Sequence, residues 1–189
     1  MLAPIDLIVI TTSSATDRHE QGFTLLEVLI VAAVISALAA ISVPGLIRAR
    51  RASLESAAIA SMRTITSAQA TYASSCARGG YAQSLDDLAK PAAGGAQLFI
   101  SPDIPANGTV KSGYVFNLGP DTGAQTVLPA ASTCNAASAD AVSSYFTEAH
   151  PSNAAVGQRA FASDTRGIMY YNFAGTAIAP GMAGADPIR

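Results

Sequence analysis

Between Phe23 and Val43 the chain reads FTLLEVLIVAAVISALAAISV, 21 residues in which only Thr24, Glu27, Ser36 and Ser42 are polar. At 1.5 Å per residue such a run spans about 32 Å as a helix, close to the roughly 30 Å of a bilayer's hydrocarbon core. Ser and Thr are tolerable there, because their hydroxyls can bond the carbonyl one turn back. Glu27 is not tolerable on those terms. An acid near a membrane centre costs roughly 2.5–3.5 kcal/mol on insertion scales, so Glu27 needs the nearby interface and a cation.

A removable secretory signal begins basic, carries about 7–15 apolar residues and ends at a small-residue cut site. Here Asp17, Arg18, His19 and Glu20 precede the block directly, and no A-x-A site follows it. The block continues instead through Pro44-Gly45-Leu46-Ile47 into Arg48, Arg50 and Arg51. A retained transmembrane helix is the stronger reading. Beyond it, Leu54, Ala58, Met62, Ile65, Gln69, Tyr72 and Cys76 step by four or three and make one mostly apolar stripe. The opposite face carries Arg50, Arg51, Glu55, Arg63, Thr64 and Ser67. The helix is expected to run to about Ala77 and to stop at Arg78-Gly79-Gly80. Pro44 and Gly45 mark a kink or melted turn between its halves.

Ser84-Leu85-Asp86-Asp87-Leu88 predicts a capped short helix closed by Pro91. Short β-like runs follow between Gly- and Pro-rich turns, at Tyr114–Leu118, Thr126–Leu128, Tyr145–Ala149, Ala160–Ser163 and Ile168–Asn172. Asp164-Thr165-Arg166-Gly167 reads as a hairpin turn, Ala130–Ala141 as a surface loop and Pro180–Arg189 as a loose tail. Antiparallel strands would lay one apolar face on the helical stripe. The expected class is α+β, a long N-terminal transmembrane and amphipathic helix packed on a small antiparallel sheet.

The cysteines are Cys76 and Cys134, without metal-ligand spacing and far from His19 and His150, so no metal site is expected. Outside the cytoplasm such a pair reads as one disulfide; the alternative is two unpaired small core residues. A net charge of −2 gives no electrostatic footprint for nucleic acid, and no Trp is present for stacking.

The junction Arg18-His19-Glu20-Gln21-Gly22-Phe23-Thr24-Leu25-Leu26-Glu27 resembles the cleavage and methylation signature of type IV pilins and type II secretion pseudopilins. That pattern has a leader ending in Gly, then Phe-Thr-Leu, then Glu as fifth mature residue, then an apolar helix, with a proline at the place of Pro44 in many type IV pilins. The resemblance implies cleavage after Gly22 by a membrane prepilin peptidase and N-methylation of the new Phe23 amine. It also implies that Glu27 pairs with the Phe23 amine of a neighbouring subunit during filament assembly. Gly22, lacking a side chain, suits passage of an extended backbone through a tight protease cleft. The implied organisation is a leader over 1–22 and a transmembrane and polymerisation helix over 23–47. An amphipathic second half follows over 48–78, then a β-rich head over 79–189. Two features depart from the pattern. The leader is long and opens on the apolar MLAPIDLIVI, and the three arginines follow the span, whereas the positive-inside rule places such clusters in the cytoplasm.

Other constellations carry less. His150 and Asp164 lack the local signature of a hydrolase. Asp103, Asn107, Asp121 and Asp164 lack calcium-loop spacing and fit turn chemistry. Asn107-Gly108-Thr109 matches a glycosylation sequon, but Asn-Gly is more often a plain turn. Tyr170 and Tyr171 should alternate faces, one in the core and one exposed. The expectation is a non-enzymatic, cofactor-free subunit of a type IV pilus, with a pseudopilin of a type II secretion system as the alternative. A signal-anchored protein of another class is the third reading. Implied partners are further copies of the chain, minor pilins, the peptidase and methyltransferase, and a pilus or secretion assembly platform. The implied location is the inner membrane, head periplasmic and leader cytoplasmic, and then a filament.

Overall fold

Leu25–Ser75 form one helix, α1, which carries Pro44 within it. It belongs to a computed structural model that describes residues 22–188, so the expected leader, apart from Gly22, lies outside the described residues. The chain divides into two compact units at Val43–Pro44. In the first, every described residue is exposed, including Leu25, Leu29, Val34 and Leu38. Ser36 and Ser42 donate their hydroxyls to the carbonyls of Ala32 (2.8 Å) and Leu38 (2.9 Å), which settles both polar groups without a partner.

The second unit holds the rest of α1, the short α2 (Leu85–Leu88) and eight strands. These are β1 (Thr109–Lys111), β2 (Tyr114–Pro120), β3 (Thr126–Leu128), β4 (Ala141–Val142), β5 (Tyr145–Pro151), β6 (Ala160–Asp164), β7 (Met169–Asn172) and β8 (Asp186–Pro187). Six of them form one antiparallel sheet in the order β1-β2-β5-β6-β7-β8, while β3 and β4 pair separately. Helix and sheet together make an α+β, pilin-like architecture.

The stripe of α1 is the core's spine. Ala58, Met62, Ile65, Gln69 and Tyr72 are fully buried. They meet Tyr114, Phe116 and Leu118 of β2, Tyr145 and Ala149 of β5 and Phe161 of β6, with only Gln69 standing outside the apolar cluster. Gln69 is accommodated because its amide spans the backbone of Ala82, donating to the carbonyl at 2.7 Å and accepting from the N–H at 2.9 Å. Past Ser75 the chain turns with Arg78 (φ 51°) and Gly79 (φ 93°), and the Gly79 N–H closes on the Ala73 carbonyl at 2.8 Å. Both residues are left-handed, so the stop costs more at the arginine than at the glycine. Cys76, just beyond, is disulfide-bonded to Cys134, with Cα atoms 4.8 Å apart.

Four expectations need correction. Glu55 was placed on the polar face, yet it is buried, because Arg159, just before β6, reaches it. The tail is not loose. Ile178 and Met182 cover the second face of the sheet over Phe146, Ala160 and Ala162, and Asp186–Pro187 pair with Tyr170 and Tyr171. Pro187, with no N–H to offer, suits this edge strand. Tyr170 and Tyr171 are consequently both half-buried, each packed on a different cluster, because both faces of the sheet are covered. The segment from Ala130 is also more than a surface loop, since Asn135 is buried and its amide donates to the Asp87 carbonyl at 2.7 Å.

Candidate processing and assembly site

Gly22, Phe23 and Thr24 precede α1 without regular structure, and all three are exposed. Helix onset is fixed by Thr24. Its Oγ1 and its carbonyl each accept from the Glu27 N–H at 3.1 Å, and the carbonyl also accepts from Val28 at 3.3 Å. Thr24 is thus the N-cap, with Phe23 just outside the helix. Thr24-Leu25-Leu26-Glu27 has the spacing of a capping box, a local signal that the reading of Glu27 as an assembly residue passes over. An acid in the first turn also complements the positive end of the helix dipole. Glu27 therefore has a favourable place within its own subunit, in addition to any contact with a second one. A cut between Gly22 and Phe23 would leave an amine one residue before the cap and four before the acid.

Phe23, Leu25, Leu26, Val28 and Leu29 are all exposed. The candidate site is a linear, exposed segment of the chain.

The remaining residues considered from sequence lie in the head and are dispersed. His150 Nδ1 lies 3.1 Å from both carboxylate oxygens of Glu148, not beside a serine. Asp164 is held by Arg166, whose Nε donates at 2.7 Å. Asp103 pairs with Lys111. Asp121 Oδ1 caps the Thr122 and Gly181 N–H groups. Asn107 accepts from the N–H groups of Leu85 and Leu118 and donates to the Leu118 carbonyl at 2.8 Å, so its amide nitrogen is already engaged. Among the described residues, no group of three or more His, Cys, Asp and Glu is placed to hold a metal ion.

Sequence reasoning missed the Glu55–Arg159 pair. Arg159 Nε donates to Glu55 Oε2 at 2.9 Å, Nη2 closes on the same oxygen, and the guanidinium carbon lies 5.7 Å from the Phe161 ring centroid. Beneath it the Tyr114 hydroxyl donates to the Arg159 carbonyl at 3.1 Å. Burial, reinforced by the negative charge of Glu55, pushes the Tyr114 hydroxyl up to about 12. Gly157 makes room for that hydroxyl, since a Cβ there would stand 2.3 Å from it. The partners are 104 residues apart, so no local pattern could announce them.

An exposed apolar helix, capped at Thr24 with an acid in its first turn and leading into an α+β head, is a pilin-like architecture. Residues 17–43 match the family model of the prokaryotic N-terminal methylation motif, the signature of type IV pilins and pseudopilins. Searches of curated proteins and of solved structures returned no match. The motif supports a type IV pilin-like or pseudopilin precursor, and implies processing by a prepilin peptidase and assembly with other pilins. With the apolar helix it suggests membrane anchoring.

Proposed function

We propose that this chain is the precursor of a structural subunit of a type IV pilus-like filament, cut after Gly22 and N-methylated on Phe23. The observation that carries the reading is the bare apolar first unit beside the methylation motif. From Phe23 to Ile47 the large apolar side chains stand about half or more exposed, and only lipid or other copies of the same helix can cover them. The subunit waits in the inner membrane with its head on the periplasmic side, then passes into the filament with its neighbours' helices replacing lipid. Glu27 meets the Phe23 amine of an adjacent subunit in that packing, and Pro44 with Gly45 supplies the flexibility to adjust α1.

Export is the second reading, and one observation favours it. The disulfide joins Cys76 to Cys134 and leaves β4 to β8 outside its loop, whereas many type IV pilins enclose a C-terminal loop with theirs. A pseudopilin would use the same cleavage and helix packing to drive protein secretion. Intact-mass measurement of the mature subunit tests what the readings share: the account requires a chain beginning at N-methyl-Phe23. A mature chain with any other first residue contradicts it. Electron microscopy of surface filaments in cells with and without the gene separates pilus from export.

A further inference from the structure

Twenty uncharged residues separate Glu27 from Arg48, about the number a helix needs to cross the hydrocarbon core. Arg48, Arg50 and Arg51 are the first charges beyond it. None has a carboxylate partner among the described residues, and Glu55, the nearest acid along α1, is taken by Arg159. Arg50 is exposed. Arg51 is half-buried, and its Nε donates to the Ala155 carbonyl at 3.3 Å, which anchors the guanidinium against the head. Arg50 and Arg51 line a cleft of about 460 Å³ with Asn153, Ile47, Leu54 and Val156. The cleft therefore joins two guanidinium groups and an amide to an aliphatic wall, and its arginines are among the first charges after the apolar run.

A planar guanidinium fork matches a phosphate's oxygens, and the aliphatic wall matches the glycerol and first methylenes of a lipid. We propose that this cleft seats the phosphodiester head group of an anionic phospholipid in the periplasmic leaflet before the subunit enters a filament. The inference rests on the membrane-anchored reading. It also gives a use to arginines on the side of the membrane where topology alone would not place them. An acidic side chain from a second copy is the competing occupant, but the cleft has an apolar wall that a carboxylate would not use.

The chain has no tryptophan, so Leu46→Trp, at an exposed position beside the cleft, provides a single reporter. The full-length protein is reconstituted in phosphatidylcholine vesicles containing a small fraction of acyl-brominated phosphatidylglycerol or acyl-brominated phosphatidylcholine, and quenching is compared. Each basic side chain near an anionic surface contributes roughly fivefold, so the anionic lipid should be preferred by about tenfold or more. Arg50→Gln with Arg51→Gln should cut the preference by about fivefold or more, with Arg48 supplying what is left. Arg50→Lys with Arg51→Lys should keep most of the preference, and Arg63→Gln, further along α1, should leave it unchanged. Equal quenching by the two lipids, a preference undiminished in the double Gln variant, or one reduced equally in Arg63→Gln would overturn the proposal. Loss of the preference to millimolar inorganic phosphate at constant ionic strength would assign a soluble phosphate and overturn the lipid. Quenching by neither lipid would overturn the anchored reading as well, which distinguishes the two failures.

Discussion

Arg159→Ala should destabilise the head more than any other single change at an arginine. The carboxylate of Glu55 sits in a residue only 8% exposed, and its hydrogen bonds come from the Arg159 fork. Removing one partner of a buried pair typically costs about 3–5 kcal/mol, because the surviving charge is stranded. Arg159 itself is 38% exposed along its side chain, so water can enter where the guanidinium stood, and the expected loss falls to about 2–3 kcal/mol. Part of that is the cover Arg159 gives Phe161 and Tyr171, whose rings lie 5.7 and 5.9 Å from its guanidinium carbon. Glu55→Gln strands only a partly hydrated cation and should cost about 1 kcal/mol. Urea unfolding of the full chain in detergent, followed by tyrosine fluorescence, gives both values and that of the double variant. A coupling of about 1–2 kcal/mol is expected from the cycle. Strict additivity, or a loss below about 0.5 kcal/mol for Arg159→Ala, would refute the claim that this pair fastens α1 to the sheet.

Three further outcomes follow from the head. Replacing Cys76 and Cys134 by Ser opens a loop closed across 58 positions, worth up to roughly 4 kcal/mol on chain-entropy arguments, and the native chain should show no free thiol to a labelling reagent while folded. Arg78→Gly should raise stability by about 1 kcal/mol in the same urea assay, since φ of 51° strains an arginine and not a glycine. Stability should fall as pH rises from about 10 through about 12. Tyr114 is protonated more tightly folded than unfolded, and its contribution, complete below the unfolded value, is lost through the folded one; Tyr72 and Tyr145 are raised by burial in the same sense. Tyr114→Phe should flatten part of that fall, and an unchanged slope would contradict the burial argument.

What was legible in the sequence was periodic or local. The stripe from Ala58 to Tyr72 packs as its spacing implies, because a 3.6-residue period leaves one face for the sheet. Ser84 caps α2 by accepting from Asp87 at 3.2 Å, and Asp164 and Gly167 close the β6–β7 turn at 2.9 Å. What was not legible depends on distant partners. Glu55 is polar by type and helical position, and only Arg159 makes it a core residue. The second sheet face is buried by Ile178 and Met182, which sit among glycines and prolines without any period. Strand β1 is short, and the positive φ angles of Ser112 and Gly113 that join it to β2 are hidden because serine seldom adopts them. At the candidate site, Gly22, Phe23 and Glu27 stand out in the sequence itself, since the segment works through its own order of residues. The capping role of Thr24 was legible too, as the capping-box spacing to Glu27, but the reading of Glu27 as an assembly residue passes over it.

The central claim is that the charge of Glu27 is used between subunits, and Glu27→Gln tests it most directly. Glutamine keeps the size of the side chain and its suitability at the third position of a capping box, so helix onset should survive. The carboxylate alone is lost, and a buried partner amine left unpaired typically costs about 3–5 kcal/mol, at every step of polymerisation. Cells carrying Glu27→Gln should insert the subunit and cut it after Gly22, yet hold it as membrane-bound monomer with few filaments by electron microscopy. Filaments of normal number and length in those cells would contradict the pairing, and would leave Glu27 with only its place at the helix start.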